Sequence, residues 1–250
     1  MRPRNVPAAE IRFAAKAGFL SRTIWEEFFA TGLSCWQRRR WRHFQERGYF
    51  TRYPYPLRRS FLVLNRKNPV VKSLVGEAIS THPFVAQVEH DECVAKILLT
   101  LARDPKILGY RMEAEMKREE WDQKQFLRGA QKTKFPDAAI EISTPTGVEK
   151  LALEIETSRK DHKRYCQVLS SYAARKDLSR VFFLSRSKLV FESLKVAMRE
   201  TYYPDEERPI GFCDLDAWLR NPLKAAIYVT WGVTTLERIV RPPSPDPNAF

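Results

Sequence analysis

The strongest constraint on what this chain can fold into lies between Lys134 and Tyr165, where strand-type alternation carries acidic side chains. Leu151, Leu153 and Ile155 alternate with Ala152, Glu154 and Glu156. That is the period-two pattern of a β-strand with one apolar face and two carboxylates on the other. Phe135 to Ile142 predicts a neighbouring strand that starts with Asp137, at a distance that fits one hairpin. If the two strands pair, Asp137 and Glu154 sit side by side at a sheet edge. Two hard oxygen ligands so placed can share one divalent cation, the arrangement used in phosphodiester hydrolysis.

The flanks extend the pattern. Phe84 to Leu101 predicts a helix whose apolar stripe includes Val85, Val88, Ala95, Leu98 and Leu99 at three- and four-residue spacing. Glu92 falls inside that stripe, and a carboxylate on a core-facing side needs a partner. Arg159 to Ala174 predicts a second helix on Tyr165, Val168, Leu169 and Tyr172, and Val181 to Leu184 a short buried strand. For Glu154 and Glu156 the plainer alternative is a solvated strand face paired with lysines.

The front of the chain is organised differently. Ala8 to Ala17 predicts a helix broken by Gly18, and Ser21 caps a second through Ala30. Thr31-Gly32-Leu33 is a turn, after which Ser34 caps a third helix to about Glu46, ended by Gly48. Tyr49 to Tyr53 and Ser60 to Leu64 then read as two strands. Three helices followed by a β-hairpin is the order of a winged helix-turn-helix. On the third helix a 100° step puts Gln37, Trp41 and Phe44 on one side. Trp36, Arg39, Arg42 and His43 point away, flanked by Arg38 and Arg40, while Arg58 and Arg59 occupy the wing tip. Arginine forks suit phosphate oxygens and the guanine edge.

Charge supports this division. Residues 1–75 hold 16 of the 43 basic and 4 of the 30 acidic side chains, leaving 27 and 26 for the other 175 residues. Nearly all of the net +13 therefore belongs to one segment, which predicts a local polyanion-binding surface.

Proline-aspartate at Pro136-Asp137, then Glu154-Ile155-Glu156, then Lys160 or Lys163 on the following helix resembles the PD-(D/E)xK nuclease superfamily. Together with the front half, residues 8 to 232 resemble the replication-relaxation family of plasmid and mobile-element proteins. The resemblance implies an α/β chain with a winged helix-turn-helix at 1–75, a restriction-endonuclease-like mixed-sheet domain at 76–240 and a flexible Pro-rich tail at 241–250. It implies Mg²⁺ or Mn²⁺ on Asp137 and Glu154, with Glu92 as an outer ligand. Glu156 would be a further ligand or orient the attacking water. Lys160 would offset charge on the phosphate, with Lys163 as its substitute. The superfamily's usual lysine position is occupied here by Glu156. Two functions follow: a metal-dependent endonuclease acting in replication, mobilisation or transposition, or a catalytically inactive nuclease-fold binding or regulatory protein. Double-stranded DNA is the expected partner, with proteins of the same replicon and a second copy of the chain as further ones.

Asn65 to Leu74 reads as a linker, Tyr110 to Trp121 as a strand lengthened by a charged loop, and Ser187 to Glu200 as a helix. Ile210 to Leu215 and Ala226 to Trp231 read as late strands, and Arg241 opens the tail. Cys35, Cys93, Cys166 and Cys213 lack C-x-x-C spacing, so neither a zinc site nor a disulfide framework is indicated, and His162 reads as a surface or capping residue. No apolar run approaches the roughly 20 residues that span a bilayer, and no secretory leader is evident. A cytoplasmic protein is the expectation.

Overall fold

Residues 6–30, 32–54, 60–76, 87–117, 134–201, 203 and 209–241 are described by a computed structural model of the chain. They divide into two units, Met1–Ala95 and Lys96–Phe250.

In the first unit α1 (Ala8–Ala17) ends at Gly18, whose φ of +85° closes the helix in the left-handed region that favours glycine. A two-residue strand, β1 (Leu20–Ser21), precedes α2 (Arg22–Ile24), which continues as a π-helical turn, Trp25–Phe29. The Ser21 hydroxyl caps α2 by accepting from the Ile24 N–H at 3.2 Å. α3 (Ser34–Glu46) starts one residue earlier than Ser34-capping predicts, with Leu33 at the cap position and no side-chain cap. Strands β2 (Phe50–Pro54) and β3 (Ser60–Leu64) form a hairpin, and β1 adds to the far side of β3, giving the order β1-β3-β2. Trp25 is fully buried between Trp41 at 5.3 Å and Phe44 at 5.8 Å, so α3 is anchored by the two aromatics its periodicity singles out. The segment expected to be a linker holds a helix, α4 (Pro69–Val75). Asn68 caps it, accepting from Val70 N–H at 2.9 Å, and Pro69 fits the first turn, where a missing N–H costs nothing.

α5 (Val88–Leu101) leads into the second unit, a seven-stranded mixed sheet in the order β10-β9-β8-β7-β6-β5-β4. Its strands are β4 (Ile107–Met112), β5 (Ala138–Thr144), β6 (Gly147–Glu156), β7 (Arg180–Ser185), β8 (Ile210–Asp214), β9 (Ala226–Val229) and β10 (Gly232–Thr235). β4, β5 and β6 pair antiparallel, β6, β7 and β8 parallel, and β8, β9 and β10 antiparallel. The parallel connections carry α6 (His162–Ala173) and α7 (Lys188–Glu200). Their apolar stripes pack on one face of the sheet, Tyr165, Leu169 and Leu194 meeting Ala152, Val181, Phe183 and Phe212.

Several expected boundaries move. β4 starts three residues before Tyr110 and stops at Met112, because the chain turns helical at 113–117. There the Glu115 carboxylate accepts from the Met112 N–H at 3.0 Å. Leu215 opens a helix, α8 (Leu215–Arg220), capped by Asp214, which accepts from Ala217 N–H at 2.7 Å. Past β10 the chain forms α9 (Leu236–Val240), and Arg241 is held by both oxygens of Asp104 at 2.8 and 2.6 Å. Phe84, Val85, Arg58 and Arg59 lie outside the described residues.

Candidate functional site

The register of β5 against β6 pairs Ala138 with Leu153, so the residue before β5, Asp137, falls opposite Glu154. The two acids are not at a sheet edge: β4 lies outside β5 and β7 outside β6. β6 is buried on both faces over its last six residues because α6 covers the face that carries Ala152, Glu154 and Glu156. Glu154 is 1% exposed and Glu156 2%. A carboxylate so deep needs partners in place of water.

Glu154 finds them in Lys134 and Tyr172. The Lys134 ammonium lies 2.8 Å from one oxygen and 3.1 Å from the other, and the Tyr172 hydroxyl donates to the first. Burial raises the Glu154 carboxyl to about 7, with the neighbouring Asp137 charge pushing the same way and Lys134 and Tyr172 opposing. Tyr172 is pushed well above 10 by burial and by Glu154, so it remains a donor. Burial works against the charge on Lys134, but Glu154, Asp137 and Glu113 outweigh it and its pKa is raised. An ammonium is thus stabilised among three carboxylates. Asp137 also fixes the β5 to β6 geometry, one of its oxygens accepting from the Ile155 N–H at 2.7 Å.

Glu156 makes a separate pair. Its partner is Lys160, from the loop before α6, and burial raises its pKa while Lys160 opposes. The Lys160 N–H in turn donates to the Tyr165 hydroxyl at 3.1 Å, which fixes the loop against α6. Lys163 is exposed on the first turn of α6. Glu92, on α5, accepts from the Ser21 hydroxyl within the first unit.

Asp137, Glu154, Glu156 and Lys160 are therefore brought to the same end of β5 and β6, as two lysine–glutamate pairs with Asp137 between strands. Lys134, Tyr172 and Glu113 join this group without having been singled out in the sequence. Lys134 had one local signal, its place two residues before the Pro136-Asp137 pair, and Tyr172 had its position on the buried stripe of α6. Nothing in sequence order links Glu113 to Asp137; the bond between Glu113 N–H and the Asp137 carbonyl, 3.0 Å long, is made by the pairing of β4 with β5.

The donor chemistry fits a divalent ion. Asp137 and Glu154 offer hard oxygens, and the position beside them already holds a positive charge, the Lys134 ammonium. Burial is the main cause of the raised Glu154 pKa, and the neighbouring Asp137 charge adds to it.

The first unit presents a different chemistry. On α3, Arg38, Arg39 and Arg42 are exposed, and Arg39 lies 5.9 Å over the exposed Trp36 ring. Arg22, Arg38, Arg42 and Arg52 surround an open pocket of 260 Å³ floored by Trp41 and Gln45. Arg40, half-exposed, donates at 2.8 Å to Glu10, whose side chain is 3% exposed. Arg22 and Arg52 belong to this basic surface but not to the helix periodicity that predicted it.

Compared with protein-family models and with curated proteins, the chain gives no match, so no family model stands behind the replication-relaxation resemblance. Among solved structures it matches restriction endonuclease FokI bound to DNA, at 11% identity and a TM-score of 0.28, over 88% of this chain and 46% of that one. The chain spans about half the length of that protein, and so low a TM-score does not establish a common fold. Among the described residues no helix is long and apolar enough to cross a membrane.

Proposed function

We propose that this chain is a DNA-binding protein with a metal-dependent endonuclease site in its second unit, serving a plasmid or mobile element in replication, mobilisation or transposition. The observation that carries the proposal is the group of Asp137, Glu154 and Lys134, a buried carboxylate and a half-buried one beside a shared cation. Asp137 and Glu154 would hold Mg²⁺ or Mn²⁺. When bound, the ion supplies polarisation of the scissile phosphate and a lowered pKa for the attacking water. Tyr172 and the Ile155 N–H orient the two carboxylates. Lys134 offsets part of their charge, and Lys160, held by Glu156, offers a further ammonium for a phosphoryl oxygen. In this proposal α1 to α3 and the β2–β3 hairpin form a winged helix-turn-helix. The exposed arginines of α3, joined by Arg22 and Arg52, contact duplex phosphates.

A second reading, a nuclease-like scaffold that binds DNA without cutting it, is favoured by one observation. Both Glu154 oxygens and one oxygen of Glu156 are already satisfied by Lys134, Tyr172 and Lys160, so each glutamate has its own lysine partner without an ion.

Cleavage of supercoiled plasmid in Mg²⁺ or Mn²⁺, comparing the native chain with Asp137→Ala at matched DNA binding, separates the two. Nicking or linearisation that disappears in Asp137→Ala supports the enzyme. Intact binding with no cleavage by either protein, across substrates that include the element's own origin, supports the scaffold.

A further inference from the structure

The parallel crossovers bring a second set of ligand-type side chains together, away from the acidic group. His162 and Cys166 are one helical turn apart on α6, and Glu200 is the last residue of α7. Their ligand atoms, His162 Nε2, Cys166 Sγ and a Glu200 oxygen, all lie within 4.8 Å of one another, the one such cluster of three among the described residues. The imidazole nitrogen is the shared centre: Nε2 is 2.5 Å from Glu200 Oε2 and 3.4 Å from Cys166 Sγ.

We propose that His162, Cys166 and Glu200 form a binding site for a transition-metal ion, zinc by the nature of the donors. Imidazole, thiolate and carboxylate are the three side-chain ligands zinc takes, at roughly 2.0 to 2.3 Å in tetrahedral geometry. Bonds of that length set two ligands about 3.5 Å apart for nitrogen and sulfur and about 3.3 Å apart for nitrogen and oxygen. The observed nitrogen to sulfur distance, 3.4 Å, already meets the first figure. The nitrogen to oxygen distance must open by less than ~1 Å, which the Glu200 side chain, 58% exposed at a helix end, can supply by a rotamer change. The ion then takes the place of the direct His162 to Glu200 contact and pins the start of α6 to the end of α7. Three protein ligands leave a fourth position for water or another donor. Calcium and magnesium are disfavoured by the sulfur and nitrogen donors.

This site does not depend on the acidic group or on its activity, so each can fail alone. The test is titration of the metal-free full chain with Co²⁺ as the probe, then competition by Zn²⁺. The expected result is one equivalent of tightly bound Co²⁺ with a thiolate-to-cobalt charge-transfer band and visible bands of tetrahedral intensity, displaced by Zn²⁺. Loss of an outer-shell partner weakens metal sites roughly 10–100-fold, so Cys166→Ser should abolish the charge-transfer band and His162→Ala should weaken binding by more than that. His162 is exposed, so its alanine variant removes little packing and decides the matter if Cys166→Ser does not fold. Absence of stoichiometric binding, or a band that survives His162→Ala unchanged, overturns the site and leaves a surface ion pair beside a thiol.

Discussion

Glu154→Gln tests whether burial governs the acidic group. A carboxyl whose pKa rises on folding from 4.5 to about 7 holds its proton more tightly in the native chain than in the unfolded one. The stability it contributes is complete below the unfolded value and is lost as the pH rises through the folded one. At ~1.4 kcal/mol per unit, that loss amounts to ~3 kcal/mol between about pH 4.5 and about pH 8. Glu154 is 1% exposed, so solvent screening takes little from this figure. The Gln variant keeps the shape and an oxygen to accept from Tyr172 and Lys134, but cannot ionise. Glu156, raised in the same direction by burial, contributes equally to both proteins and cancels in the comparison. Lys134 stays charged throughout the window, since its own pKa is raised. The assay is urea-dependent hydrogen exchange at the amides of β6, which reads the stability of the second unit alone, in divalent-free buffer at several pH values. Native protein should lose ~3 kcal/mol more than Glu154→Gln as the pH rises. Parallel pH curves for the two proteins would show that Glu154 titrates near its ordinary value and would refute the electrostatic account of the site.

Arg39→Ala and Arg42→Ala should each weaken DNA binding and lower the slope of log affinity against log salt by about one, as expected for a lost phosphate contact; an unchanged slope would remove α3 from the DNA interface. Gly211→Ala should destabilise the second unit by about 1–3 kcal/mol. A Cβ there would meet Ile227 Cγ2 at 2.5 Å and Phe182 Cδ1 at 2.7 Å, and a urea midpoint equal to that of the native chain would refute this packing. Arg40→Ala should cost the first unit about 1–3 kcal/mol by leaving the buried Glu10 carboxylate without its guanidinium. It should leave the salt slope unchanged, because the guanidinium is engaged by Glu10; a drop in slope of about one would place Arg40 on the DNA instead.

What the sequence by itself determined is what short-range periodicity and local caps control. α1 spans the predicted Ala8–Ala17, β3 the predicted Ser60–Leu64, and Ser21 caps α2, because each depends on residues within a turn or one strand length. The same-face placement of Glu154 and Glu156 is also local, since strand geometry puts i and i+2 together. Short helices escaped: α4 lay in an expected linker and α8 began inside an expected strand. Helices of six or seven residues are held by caps and tertiary contacts more than by propensity.

Only the tertiary structure decided what the acids are. A strand with carboxylates on one face is equally compatible with water and with a covering helix, and α6 lies over that face. That covering turned a potential solvated surface into a buried site, selected Lys134 and Tyr172 as the partners of Glu154 from 20 and 18 residues away, and shifted its pKa. Arg40 was likewise separated from its exposed neighbours by Glu10, 30 residues distant. The convergence of His162, Cys166 and Glu200 has the same origin: two are one helical turn apart and readable as a pair, while the third arrives only because consecutive crossover helices pack side by side. Pairing of distant charges depends on which faces the chain closes over, and a one-dimensional pattern does not contain that closure.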